Sequence, residues 1–129
     1  MKVKNDNKFL KFDDYKIIGF NFNIKPEYLK EAKRELLIEI KSDSKIIDKN
    51  KFQLFLTVNV CDENNFLNII VTSVGFFEFG DNIEKEQHDK LMKINAPAIL
   101  FPFIRASLTS ITAQMGIAPI ILPTVNFTN

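Results

Sequence analysis

The chain has few of the residues from which catalytic and metal-binding sites are usually built. It contains one cysteine, one histidine, no tryptophan and four glycines among 129 residues. A single cysteine, Cys61, excludes an intrachain disulfide, and with His88 it cannot supply the four ligands of a structural zinc site. The glycines form neither GxGxxG nor GxxxxGK, so no phosphate-binding loop is present. We therefore expect no enzyme activity, no metal and no cofactor.

Charge is missing from one whole third of the sequence. Of the 17 basic and 16 acidic residues, only Arg105 falls between Ile94 and Asn129. A charge-free third must be buried, self-associated or offered to a ligand, because soluble chains mark their solvent faces with charges. An ordinary core helix with a loop remains the alternative reading. The net charge of +1 indicates no general attraction to nucleic acid.

Long hydrophobic runs are absent as well. Prolines, Arg105 or polar residues interrupt each apolar stretch well before the ~20 residues that span a bilayer. The start, MKVKNDNKF, is polar and unlike a secretory signal. We expect a cytoplasmic protein without membrane insertion, formed by one domain over residues 1–129. The Lys- and Asn-rich residues 1–14 are expected to be mobile.

Residues 16–79 alternate between apolar and polar side chains as strands do. KFQLFLTVNV is the clearest case, and KIIGFNFNIK predicts that Ile18, Phe20, Phe22 and Ile24 share a face. LLIEIK and the apolar stretch FLNIIVTSVGFFEF complete four strands. Short links rich in Asp, Asn and Ser favour an antiparallel meander, with a short helical turn in PEYLKEAKRE.

The period changes to that of a helix after residue 95. Apolar residues recur at helical spacing from Leu100 to Met115, Pro97 suits the first helical position, and Gly116 suits the end. Ser107, Thr109 and Ser110 replace charges on the other face, which predicts a helix packed against a partner. An extended, Pro-broken tail follows. The fold class is therefore α+β, a four-stranded antiparallel sheet with one long C-terminal helix on one face.

The charge-free third also resembles a known family. INAPAILFPFIRASLTSITAQMGIAPIILPTVNF is similar to the signature region of the SecB family of protein-export chaperones. That region has an ILFP-aromatic helix with an early Arg, then a glycine and a Pro-rich crossing. The matching residues are Ile99, Leu100, Phe101, Pro102, Phe103 and Arg105 in the helix, and Pro119, Leu122, Val125, Asn126 and Phe127 in the crossing. The resemblance covers roughly residues 15–127.

The resemblance implies a function and a set of site residues. Family members form homotetramers, as dimers of dimers, that hold unfolded precursor polypeptides in apolar grooves without ATP and deliver them to SecA. Each site residue could instead be plain core, because one sequence does not show which apolar face is open. The expected client-binding residues are Leu36, Ile38, Ile40, Phe101, Phe103, Ile120 and Leu122, and the expected oligomer interface is Ile69, Val71, Ser73, Leu108 and Ile111.

Two departures from the family pattern bear on the partners. The sequence stops at Asn129, before the family's second helix and SecA-binding tail, and Ile17, Asn21 and Ile70 replace acidic SecA contacts. Both argue against delivery to SecA by the usual contacts. Two alternatives therefore stand beside a general holding chaperone. One is a dedicated chaperone of a single partner such as an antitoxin, and the other is a structural oligomer subunit without chaperone activity.

Overall fold

The computed structural model describes residues 9–30 and 35–128. The four strands are β1 (Leu10–Ile24), β2 (Leu36–Ile46), β3 (Lys51–Asp62) and β4 (Leu67–Phe79). A short 3₁₀ helix, Pro26–Lys30, follows β1 where the sequence predicts a helical turn. One continuous helix covers Lys85–Gln114 and consists of α1 (Lys85–Lys90), a π-helical turn (Leu91–Asn95) and α2 (Ala96–Gln114).

The strands form one antiparallel sheet in the order β1-β4-β3-β2. This confirms the predicted α+β class, and it refines the meander, because β1 pairs with β4 and only β2, β3 and β4 follow one another. Strands β1 and β2 are therefore the two edges. The expectation that residues 1–14 are mobile does not hold from Leu10 onward, since Leu10 pairs with Phe79. Residues 1–8 lie outside the described residues.

The helix-facing side of the sheet is the core. Strand β3 buries every second residue, from Phe52 to Val60, and these pair with buried residues of β4. This is the alternation that the sequence predicts for β3. A polar residue, Ser73, lies within this face. Its hydroxyl donates to the Leu56 carbonyl at 2.9 Å, so its burial leaves no polar group unsatisfied.

Strand β1 departs from the predicted alternation. Its register with β4 shifts between Phe12 and Asp14 and again between Ile17 and Gly19. The second shift is a bulge that turns Ile18 outward, where it is 56% exposed. Ile17 then lies opposite Ser73 on the helix side. The prediction that Ile18 shares a face with Phe20, Phe22 and Ile24 is therefore wrong.

The polar crossover before Pro97, for which a partly helical structure was also considered, is helical from Lys85 onward, so the helix begins twelve residues before Pro97. Asn95, expected outside the helix, has helical dihedral angles of −74° and −45°. Pro97 cannot donate to the carbonyl four residues earlier, and its ring crowds that group. The π-helical turn directly before Ala96 widens the helix at this point and accommodates the proline without a break.

The whole helix is long and apolar enough to cross a membrane by length and composition alone. It lies instead on the sheet, and one face of α2 is buried there. The buried residues of α2 are Ala96, Pro97, Leu100, Phe101, Ile104, Leu108 and Thr112. The predicted stop is confirmed: Gly116 has a φ of +82°, which favours glycine.

Gly75 of β4 allows the helix to approach the sheet closely. A Cβ at this position would lie 3.1 Å from Leu100 Cδ2 and 2.8 Å from the Phe77 ring. Both distances are below ordinary van der Waals contact, so any side chain would displace the helix or the ring. The packing of α2 on the sheet therefore requires glycine here.

We predict that Gly75→Ala lowers the free energy of unfolding by about 1–3 kcal/mol, the range for an overpacked core. Gly19→Ala is the matched control, because its new Cβ would meet Thr72 at an ordinary 3.5 Å. The control should stay within about 1 kcal/mol of the parent protein. Urea denaturation followed by circular dichroism measures the free energy of unfolding of both variants. Equal values for the two variants would contradict the close approach of the helix to the sheet at Gly75.

Candidate functional site

The helix covers the central strands of the sheet more completely than the edges. Val58 and Val60 of β3 are fully buried, whereas Ile40 and Ile38, which pair with them on β2, are partly exposed. Leu36 continues the same row. We call Leu36, Ile38 and Ile40 the β2 strip. It is an apolar extension of the core face that reaches solvent along one edge of the sheet.

Phe103 lies on the opposite flank of α2. Its ring centroid is 5.3 Å from that of Phe12 and 5.1 Å from that of Tyr15, both on β1. Phe103 is 41% exposed, so this aromatic cluster also reaches solvent. The structure therefore separates Phe103 from the β2 strip, although both were expected to bind clients.

The tail, residues 117–128, runs back along α2 without regular secondary structure. It starts beside the helix end, and the ring of Phe127 meets that of Phe101 edge-on at 5.7 Å. Phe101 and Phe103 are about 200° apart around the helix, so the tail occupies the flank facing away from β1, towards β2. Ile120 and Leu122 are 4% and 3% exposed.

Phe101, Ile120 and Leu122 are buried, and their assignment as client-binding residues stays a prediction. These three side chains were predicted to line an open groove, but they pack into the chain's own core. The physical reason is that the tail lies extended beside an apolar helix and carries two pairs of apolar residues at alternate positions, Ile120 with Leu122 and Val125 with Phe127. The groove expected along this flank of α2 is thus already filled by the chain itself.

Two threonines of α2 hold the tail at Ile120. The Thr109 hydroxyl donates to the Ile120 carbonyl at 2.8 Å, and the Ile120 N–H donates to the Thr112 hydroxyl oxygen at 2.9 Å. The sequence singles out Thr109 as a polar substitute for charge on a packed helix face, and the surface it meets is the tail. The sequence does not single out Thr112, because its position in the helical repeat is that of an ordinary core residue.

The residues expected at an oligomer interface are mostly internal. Ile69, Val71, Ser73 and Leu108 are fully buried between the sheet and the helix. They contact other parts of the same protomer and offer no surface to a second copy. Only Ile111 is partly exposed. These four buried residues can therefore affect assembly only indirectly, by holding α2 in position on the sheet.

Ionisable groups contribute little to these surfaces. Among the described residues, no three His, Cys, Asp or Glu side chains come together as a metal site would require. His88 is partly buried and stacks on Phe79 with ring centroids 3.8 Å apart. On the exposed β1 edge, Lys16 and the Tyr15 N–H donate to the Asp14 carboxylate and lower its pKa. The β2 strip itself consists of aliphatic side chains only.

Comparison with known proteins gives a consistent result. The family model described as preprotein translocase subunit SecB matches residues 15–129. An uncharacterised protein of Methanocaldococcus jannaschii is 34% identical over 128 residues, which cover 91% of this chain and 79% of that protein. The protein-export protein SecB of Chromobacterium violaceum is 29% identical over 103 residues, covering 78% of this chain and 68% of the relative.

Solved structures show the same fold. The SecB-like chaperone Rv1957 of Mycobacterium tuberculosis, in complex with a ChAD peptide from the HigA1 antitoxin, superimposes with a TM-score of 0.72. The two sequences are 12% identical, and the match covers 92% of this chain and 88% of the other. A protein of unknown function from Streptococcus agalactiae matches with a TM-score of 0.51 at 7% identity, over 88% and 96% of the two chains.

We predict that Val71→Asp destabilises the protomer by about 3 kcal/mol or more, because it places an unpaired charge in the core. The neighbouring Ile70→Asp is the control, since Ile70 lies partly exposed on the opposite face of β4. Urea denaturation and light scattering measure stability and mass together. A Val71→Asp protein with parental stability but a smaller mass would restore Val71 as an interface residue.

Proposed function

Because this chain belongs to the SecB family of protein-export chaperones, we propose that it is an ATP-independent holding chaperone. Its clients are unfolded polypeptides, held by apolar contact in the cytoplasm before export. No step of such holding requires a catalytic residue or a cofactor. Holding a client requires only a surface that is apolar, rigid and accessible to the client.

The β2 strip is the observation that carries this proposal. Three aliphatic side chains lie in a row on an edge strand, anchored on a fully buried neighbouring strand. An unfolded client offers no defined shape, so its recognition rests on apolar burial of about 25 cal/mol per Å². Several modest contacts along an extended client then add up to avidity without sequence specificity.

The solvent side of α2 supports self-assembly into a homotetramer. Its exposed side chains are small and uncharged, and Arg105, the one charged residue of α2, is partly exposed at the margin of this face. The exposed residues of this face are Ala98, Pro102, Ala106, Ser110 and Ala113. Small neutral residues let two helices approach closely without desolvating charge, so a second copy fits this face. Assembly would also place several β2 strips on one particle, and a long client could contact them together.

A dedicated chaperone of one partner is the second candidate. The structure of Rv1957 with an antitoxin peptide favours it, since that protein shares this fold. The same apolar surface would serve both functions, and the difference lies in client range. The third candidate is a structural subunit without chaperone activity, which would have no affinity for unfolded protein.

The proposal predicts that the purified protein suppresses aggregation of chemically unfolded citrate synthase without ATP. Light scattering follows both the aggregation and the mass of the complex. Suppression at about one oligomer per client or below supports a general holding chaperone. An oligomer that leaves the aggregation unchanged would argue for the dedicated or the structural alternative.

Within the β2 strip, Ile38→Asn should weaken binding of the unfolded client roughly five- to tenfold, as expected for losing most of one buried aliphatic side chain. Leu37→Asn is the matched control, because Leu37 is 53% exposed on the other face of the same strand. Fluorescence anisotropy of a labelled client measures both affinities. Equal weakening by the two variants would locate the client elsewhere.

Assembly through α2 predicts that Ala106→Glu reduces the particle mass without unfolding the protomer, since paired helices would bury the new charge. Gln87→Glu adds the same carboxylate at an exposed position of α1 and should leave the mass unchanged. Light scattering gives the mass, and circular dichroism confirms folding. An Ala106→Glu protein of parental mass would exclude this helix face from the interface.

A further inference from the structure

We propose that the hydroxyls of Thr109 and Thr112 form a clasp for the backbone of an extended apolar segment, which the tail occupies until a client displaces it. The inference rests on the proposed function, because it concerns how the same surface holds a client. It assigns the tail as an internal ligand. It also defines the ligand class as an extended peptide with pairs of apolar side chains two residues apart.

The clasp recognises backbone atoms, which all clients share. The single proton of the Thr112 hydroxyl can go to the Leu108 carbonyl at 2.9 Å or to the Thr109 carbonyl at 3.2 Å, and either choice leaves its lone pairs to accept the Ile120 N–H. The Thr109 proton can go to the Arg105 carbonyl at 3.2 Å or to the Ile120 carbonyl at 2.8 Å, and the shorter contact favours Ile120. Both backbone groups of one residue are thus satisfied by side chains.

Side chains of the tail alternate within two pairs, Ile120 with Leu122 and Val125 with Phe127, and a three-residue step separates the pairs. Ile120 and Leu122 are buried and Val125 and Phe127 are partly buried, whereas Ile121 between the first two is 79% exposed. The inward residues enter an apolar slot along α2 that includes Phe101. Such a slot requires only apolar side chains two residues apart and an N–H at the clasped residue, which excludes proline there.

Few polar contacts hold the tail in place. Among the described contacts, no backbone-to-backbone hydrogen bond involves residues 117–128, and the two clasp bonds at Ile120 are its only hydrogen bonds to α2. A segment held by alternate side chains and two hydrogen bonds opens at lower cost than a strand within a sheet. A client that makes the same contacts can therefore replace it.

Displacement would enlarge the client surface. The tail lies on the flank of α2 that faces β2, and the β2 strip lies on that side of the sheet. Removing the tail uncovers the slot beside Phe101 and adds it to the apolar area already exposed at the strip. The tail thus competes with clients for one groove, and tail and client exclude each other there.

The first test weakens the tail and leaves the clasp intact. Leu122→Ser removes a buried apolar contact of the tail, and it should tighten binding of reduced, carboxymethylated α-lactalbumin roughly fivefold, because a larger fraction of the protein is open. Ile121→Ser makes the same type of change at the exposed neighbour and should bind like the parent protein. Parental affinity in both variants would overturn the competition.

The second test examines the clasp on the open protein. In the Leu122→Ser background, adding Thr109→Val with Thr112→Val should weaken binding of the same probe about fivefold, through loss of its backbone hydrogen bonds. Thr57→Val, on the outer face of β3, is the control and should change nothing. Unchanged binding by the double clasp variant would show that the threonines serve only the tail.

A third measurement uses the unmodified protein, so it does not depend on any variant folding. Exchange of the Ile120 amide hydrogen should become faster when reduced, carboxymethylated α-lactalbumin is added, because the client takes its place at Thr112. An amide that stays protected while the probe is bound would overturn displacement and leave the proposed function standing. If neither the parent protein nor the Leu122→Ser protein binds the probe, the proposed function and the displacement of the tail are both rejected.

Discussion

The structure depends on a mismatch in width between one helix and four strands. A helix with its side chains is about 10–12 Å across, and neighbouring strands are about 4.8 Å apart, so one helix covers little more than two strands. The central strands β3 and β4 are accordingly buried on that face, and edge strands β1 and β2 are covered only in part. The chain has one long helix, and the apolar face it must cover is wider than that helix.

The two partly covered edges of the sheet differ in what packs beside the helix. On the β1 side, aromatic rings lean against the helix, with Phe103 placed beside Phe12 and Tyr15. On the β2 side, the tail fills part of the gap, held by hydroxyls of α2. Hydroxyls suit this position because they satisfy backbone groups without the desolvation cost that a charge would bring to an apolar groove. The scarcity of charge in the last third of the sequence follows from this arrangement.

Local patterns were sufficient to predict much of this fold. The alternation of β3 is regular because both of its neighbours are in register, and Gly116 ends the helix through a property of its own backbone. Other features depend on distant partners. The outward turn of Ile18 needs a bulge that only the pairing with β4 defines. Pro97 resembles a helix start in isolation, and a π-helical turn formed by the preceding residues carries the helix through it.

The site was harder to predict, because composition shows that a segment is apolar and does not show what covers it. Leu36, Ile38 and Ile40 were predicted to line a groove and lie at a partly open edge, whereas Ile120 and Leu122 have the same chemistry and are covered. A surface made for unfolded chains would also attract other copies if it were wholly exposed. Covering part of it with an extended segment of the same protein limits that exposure, provided that the cover is held weakly enough for a client to replace it.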